Sequence, residues 1–210
     1  LPPIYSGGGT IKSVTLEDVI WAEPPEKYEA GTPNVLGAVA LEGAINFLHQ
    51  TNWSQLVAHE NKLISYTIQQ LREIEGVKLY GQMKAGRTNN QVAVIPFNLE
   101  GIDHALTAAL LAHEYGFGLR NGCFCAHPYI HQLLDNSQEE INKFKSRVKE
   151  NNHRNKPGLV RISFGCYNTK QEVDQLIKAV KSILNRKKAG EELAKNYRFE
   201  AATGKYSPRP

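Results

Sequence analysis

The chain has 210 residues, 41% hydrophobic and 22% charged, with a formal net charge of +4. That suits one domain, or one small domain with a substantial appendage, able to bury a sizeable core. The charge is too thinly spread to argue for a nucleic-acid partner, and no apolar run approaches the about 20 residues needed to span a bilayer. Three cysteines cannot all pair, and the Cys123-Phe124-Cys125 spacing is a poor start to a disulfide framework. A reducing, cytoplasmic compartment is therefore expected. No secretory signal opens the chain, and its start, Leu1-Pro2-Pro3, reads as that of a fragment.

The first 33 residues are rich in breakers. Ser6-Gly7-Gly8-Gly9-Thr10 predicts a flexible loop, residues 11–16 a short strand, and Trp21-Ala22-Glu23-Pro24-Pro25 an irregular piece. Tyr28-Glu29-Ala30-Gly31-Thr32-Pro33-Asn34 leads into a helix start, where Gly31 offers a backbone N–H and Thr32 a hydroxyl. Such groups suit a phosphate, and they equally suit simple capping.

From residue 34 to about 50 the chain reads as a helix apolar nearly all round, which must be buried or lie in an interface. Thr51-Asn52 caps a second helix with Leu56, Leu63, Leu71 and Ile74 at helical spacing, ending at Gly76. Residues 77–80 and 91–97 read as strands, joined by residues 81–90. Asp103 caps a helix to about Tyr115 that buries Leu106, Ala109 and Leu110. Phe117-Gly118-Leu119 predicts a brief strand, and Asn121-Gly122 a tight turn with φ > 0. Ser137-Gln138-Glu139-Glu140 and Thr169-Lys170-Gln171-Glu172 are capping boxes opening two more helices, the second strongly amphipathic. Residues 159–164 form a strand carrying Arg161 among apolar neighbours. Residues 151–156 are polar, and the basic tail from Lys188 shows no clear core face. The order predicts an α/β arrangement of the α+β kind: a small, mostly antiparallel sheet with helices on one face.

The chemistry concentrates in Arg120-Asn121-Gly122-Cys123-Phe124-Cys125-Ala126-His127-Pro128. A loop on a rigid scaffold is where reactive groups sit, and an arginine beside a thiol favours the reactive thiolate. Cys123, Cys125, His127 and His131 could instead ligate a metal or bind a partner. Their spacing is poor for structural zinc, and a second ligand pair is missing. Both cysteines could also be ordinary buried small residues. Arg161 is the second anomaly, since a buried guanidinium needs a partner such as a bidentate carboxylate, from a ligand or from a folded-in acidic residue.

Several collinear segments resemble the class V aminotransferase group of pyridoxal-phosphate enzymes, in its cysteine desulfurase and selenocysteine lyase branch. They are Pro2-Pro3, Gly7-Gly8-Gly9, Trp21 and the 28–34 run, then the 120–128 run. Val160-Arg161-Ile162-Ser163-Phe164, Tyr167-Asn168-Thr169 and Glu172-Val173-Asp174 complete the set. The resemblance covers residues 1 to about 185. It implies that Cys125 is the nucleophile that takes sulfur as a persulfide, that Arg161 binds the α-carboxylate of an amino-acid substrate, and that Arg120 lines the same pocket. It places Thr32, with Gly31, at the cofactor phosphate of the partner subunit in a homodimer, with no resident metal and with a possible sulfur-acceptor protein.

The His-Lys motif that carries the cofactor lysine in this group is missing from the chain. The expectation is thus the C-terminal portion of a fold-type I enzyme, inactive alone. Residues 1–50 would be a remnant of the large cofactor-binding domain with a linking helix, 51–187 the small domain, and 188–210 a basic tail. Cys123 and Phe124 stand where histidines often precede the nucleophile in this group; the Cys-Phe-Cys form resembles that of its molybdenum-cofactor sulfurase relatives. Residues 131–156 lengthen the connection to Arg161. The alternatives are an aminotransferase or another carbon–sulfur lyase in which Cys125 is dispensable.

Overall fold

The computed structural model describes residues 1–81 and 94–210. It divides into two compact units, Leu1–Trp53 and Ser54–Pro210. In the first, strands β1 (Ile11–Val14) and β2 (Val19–Trp21) form an antiparallel hairpin. Trp21, read from sequence as irregular, therefore closes a strand. Helix α1 (Val35–Gln50) is capped by Asn34, whose side chain accepts from Gly37 N–H at 2.9 Å. It buries none of its residues.

The second unit is built on a four-stranded sheet. Its strands β3 (Val77–Leu79), β4 (Val94–Leu99), β5 (Arg120–Gly122) and β6 (Leu159–Ser163) lie in the order β3-β4-β6-β5, all antiparallel. Side chains alternate between faces along a strand, and here the two faces have different fates. Ile95, Phe97, Leu99, Val160 and Ile162 enter one large core with α2 (Trp53–Arg72), α3 (His104–Tyr115) and α6 (Lys170–Lys188). The amphipathic spacing of α6 is realised in full, since Val173, Leu176, Ile177, Val180, Ile183 and Leu184 are all buried. Each such side chain stabilises the fold by about 1.5–3 kcal/mol. Both expected capping boxes form, at Thr169 with Glu172 and at Ser137 with Glu140, the latter opening α5 (Gln138–Lys149). Asp103 caps α3 through two backbone N–H groups, and Gly116 ends it at φ 77°.

Leu159 belongs to the opposite face. There a smaller cluster of Tyr80, Cys123, Ile130 and Leu159, joined by Phe124, Leu133 and Leu134, is brought together by a short helix, α4 (His127–Leu133). The sequence reading did not include α4, although Pro128 at its first turn and Ile130, Leu133 and Leu134 at helical spacing mark it. So the main core lies on one face as expected, while α4 covers one end of the other.

Two further expectations change. The tail shows no core face in its sequence pattern, yet Leu193 and Tyr197 are buried in the main core. A hairpin of β7 (Tyr197–Glu200) and β8 (Lys205–Pro208) closes the chain, with Tyr206 against that core. The reversal expected at Asn121-Gly122 falls three residues later. Gly122 does take φ 107°, but it pairs with Leu159 in the sheet, and the turn is closed by Ala126 N–H donating to Cys123 O at 2.8 Å. The expected strand at 117–119 is correspondingly displaced onto Arg120–Gly122. The linking segment 81–90 and the start of the expected strand at 91 fall largely outside the described residues. No helix among the described residues is long and apolar enough to cross a membrane.

Candidate active surface

The outward face of the sheet carries the polar chemistry. In the antiparallel register Arg161 on β6 lies opposite Arg120 on β5, with Pro96 opposite on its other side. Directly paired residues project to the same face, so two arginine side chains leave the sheet on one side as cross-strand neighbours. Like charges so placed are destabilising unless an anion joins them. Among the described residues neither arginine forms an ion pair with a carboxylate. Arg120 is exposed, whereas Arg161 is half-buried, and its Nε is buried without a hydrogen-bond partner. A buried charged donor left unpaired is costly, and a carboxylate, which accepts in a fork, is the partner that satisfies it.

The Arg161 guanidinium also lies over the Phe124 ring, 5.0 Å from its centroid. Phe124 and Cys125 both adopt left-handed backbone, at φ 50° and 59°. Non-glycine residues held there store of order 1–3 kcal/mol each, and persist only where surrounding contacts over-determine them. The stacked ring is one such contact. The next residue, Cys125, is exposed, while Cys123 is buried and its Sγ donates to Pro157 O at 2.9 Å. Burial pushes the Cys123 thiol up, against a weaker opposing pull from Lys156. The two cysteines, equivalent in sequence, therefore part company: one a neutral buried donor, the other a thiol presented to solvent.

The metal alternative needs Cys123, Cys125 and His127 to converge. Cys123 faces inward while Cys125 and His127 are exposed, and among the described residues no group of three or more His, Cys, Asp or Glu is placed to hold a metal ion. Two cavities of this unit, about 790 Å³ beside Lys78, Asn98 and His104 and about 550 Å³ between α4 and α5, include none of Cys125, Arg120 and Arg161.

The structure thus pairs Arg161 with Arg120 and sets Phe124, the residue before Cys125, against Arg161, while Thr32 and Gly31 belong to the first unit. Gly31 takes φ 84°, and its N–H donates to Gly8 O at 2.8 Å. That amide, expected to be on offer to a phosphate, is engaged, which among the described residues leaves the exposed Thr32 hydroxyl as the open donor of the pair. Sequence reasoning missed Phe124 as the platform for Arg161. An aromatic residue between two cysteines was the visible signal; the cross-strand register that gives it meaning was not.

The second unit is thus an antiparallel small domain with helices on its core face, bearing an exposed cysteine loop next to paired arginines. The chain belongs to the class V aminotransferase family, whose profile matches residues 1–176. Among its relatives is a probable cysteine desulfurase of Halobacterium salinarum, 33% identical over 180 residues, covering 86% of this chain and 37% of that protein. One of Staphylococcus aureus is 33% identical over 181 residues, covering 86% and 38%. Among solved structures, cysteine desulfurase CsdA of Escherichia coli superposes with a TM-score of 0.66 at 28% identity, over 88% of this chain and 39% of that one. Apo cysteine desulfurase of Thermococcus onnurineus NA1 gives 0.67 at 30% identity, over 87% and 39%. The chain therefore spans well under half the length of the relatives it matches.

Proposed function

We propose that this chain is the C-terminal portion of a pyridoxal 5'-phosphate-dependent cysteine desulfurase, with Cys125 as its sulfur nucleophile. The observation that carries the reading is the strained, exposed Cys125 turn, stacked through Phe124 on an Arg161 whose buried Nε lacks a partner. Arg161, with Arg120 across the strand pair, binds and orients the substrate's α-carboxylate. Cys125 Sγ, as thiolate, attacks the substrate sulfur; the sulfur–sulfur bond forms as the carbon–sulfur bond breaks, with the electron pair left on carbon. Carbon takes a proton, alanine leaves, and Cys125 carries a persulfide for an acceptor protein. When bound, pyridoxal phosphate supplies the electron sink for the substrate carbons. Thr32 fits the cofactor phosphate across a homodimer interface, and the first unit is the end of the large cofactor-binding domain with its linking helix. The working compartment is the cytoplasm.

The experiment compares this chain with the complete protein that contains it, recording visible cofactor absorption and cysteine-dependent sulfide release. The reading expects only the complete protein to be yellow and active, and Cys125→Ala to abolish release while absorption persists. A yellow complete protein that releases no sulfide with Cys125 intact would keep the family and overturn the reaction.

A further inference from the structure

Immediately before β6, three consecutive carbonyls are each taken by a side chain from a different part of the fold. Lys156 O lies 2.8 Å from His104 Nε2, Pro157 O accepts from Cys123 Sγ at 2.9 Å, and Gly158 O accepts from Asn98 Nδ2 at 3.1 Å. Gly158 is required by space: a Cβ there would stand 2.5 Å from His104 Nε2 and 2.8 Å from Gly122 Cα. The segment is thus pressed against the strand that leads into the cysteine turn.

Its upstream end is tied to the C-terminal hairpin. His153 N–H donates to Ala201 O at 2.8 Å, and the Arg154 guanidinium lies 4.9 Å from the Phe199 ring centroid. Gly204, at φ 68°, approaches so closely that an added Cβ would be 3.0 Å from His153 Cβ. This hairpin lies beyond residue 176, where the family match ends.

We propose that Cys123 is a positioning residue, and that residues 153–158 form a strap, secured by the C-terminal hairpin, that holds the Cys125 turn in place through the Cys123 thiol. The inference rests on Cys125 being the reacting thiol. Two successive left-handed non-glycine residues need firm anchors, and the structure supplies one on each side. Phe124 is held by Arg161, and Cys123, directly before the turn, is held by Pro157 O while its own carbonyl accepts from Ala126 N–H. A thiol that burial keeps neutral retains the proton this bond needs. Released from the strap, the turn relaxes and Cys125 leaves the electropositive surface of Arg161 and Arg120, where a thiol is most reactive.

The test is the alkylation rate of Cys125 by iodoacetamide in this chain, read by mass spectrometry against exposed Cys166 as internal reference. Cys123→Ala should lower the Cys125:Cys166 rate ratio by about five-fold, as the loss of one net hydrogen bond implies. Cys123→Ser, which keeps a donor, should restore most of it, and Phe199→Ala should shift the ratio the same way as Cys123→Ala. A wild-type ratio in Cys123→Ala, or equal losses in the Ala and Ser variants, would overturn the positioning role. A wild-type ratio in Phe199→Ala would remove the hairpin from it. Independently of any variant, Ala126 N–H in the wild-type chain should exchange with solvent at least about ten-fold more slowly than an open amide; unprotected exchange would also overturn the proposal. Equal rates at Cys125 and Cys166 in the wild type would sink Cys125 as the reactive thiol, and the variant ratios would still decide the strap.

Discussion

Arg161 stands where an uncompensated guanidinium is a defect of the isolated fold: half-buried, its Nε unpaired, and opposite a second arginine. Groups tolerated at such an expense to stability are best explained by what they bind. Two outcomes follow. Arg161→Met, which keeps the length but removes both the poorly compensated charge and the cation over the Phe124 ring, should change the stability of this chain by less than about 1 kcal/mol in urea unfolding, because the two losses oppose each other. On the proposed reading, Arg161→Lys in the complete protein should lower kcat/KM for cysteine by roughly 10–100-fold, mainly through KM, because a point charge cannot reproduce a two-bonded fork. A destabilised Met variant together with an unaffected Lys variant would assign Arg161 a structural role instead.

Among the elements, α6 and the two capping boxes were legible because their signals are local. A helical period places Val173, Leu176, Ile177, Val180, Ile183 and Leu184 on one stripe, and a Thr-x-x-Glu spacing reaches only one turn. Leu110→Ala or Ile183→Ala, each at fully buried positions, should cost about 2–5 kcal/mol in denaturant unfolding. Thr169→Ala should cost about 0.5–2 kcal/mol. The caps also carry a pH signature. The Thr169 backbone N–H, then the Asn168 and Thr169 side chains, hold the Glu172 carboxylate below its usual range, and Ser137 does the same for Glu140. A lowered folded-state pKa gives stability that is fully present above the ordinary carboxylate range and lost as pH falls through the folded value. Glu172→Gln should therefore flatten the acid limb of the melting temperature against pH by lowering the melting temperature at neutrality while changing it little in acid, where the carboxylate is protonated in both states. The elements missed, α4 and the C-terminal hairpin, are short, and each depends for burial on residues distant in sequence: Ile130 clusters with Tyr80 and Leu159, and Tyr197 enters the main core.

On the scale of the whole molecule, α1 is apolar nearly all round, and none of its residues is buried, with Leu36 84% exposed. An apolar surface of that extent is not left to water in a working protein. This chain alone should associate as concentration rises, and a mass that stays monomeric at high concentration in light scattering would count against it. The C-terminal segment contributes to stability rather than trailing from it. Glu114 on α3 pairs with Arg186 on α6 and accepts from the Tyr197 hydroxyl, which burial first and Glu114 second push up to about 12. Removing residues 189–210 should lower the melting temperature, by uncovering Leu193 and Tyr197 in the core.

The sequence by itself determined whatever depends on neighbours a few residues apart: the longer helices and their capping boxes, the apolar run that marks β6 as a strand with one discordant arginine, and the concentration of reactive groups at residues 120–128. Through its ordered motifs it also determined the family. Only the tertiary structure decided which cysteine is exposed, because the difference between Cys123 and Cys125 lies in a carbonyl at Pro157, 34 residues away, and in a turn whose strain is sustained by Phe124 on Arg161. It alone paired Arg161 with Arg120, since cross-strand register is settled by burying one whole face of the sheet at once, and no local pattern encodes that sum.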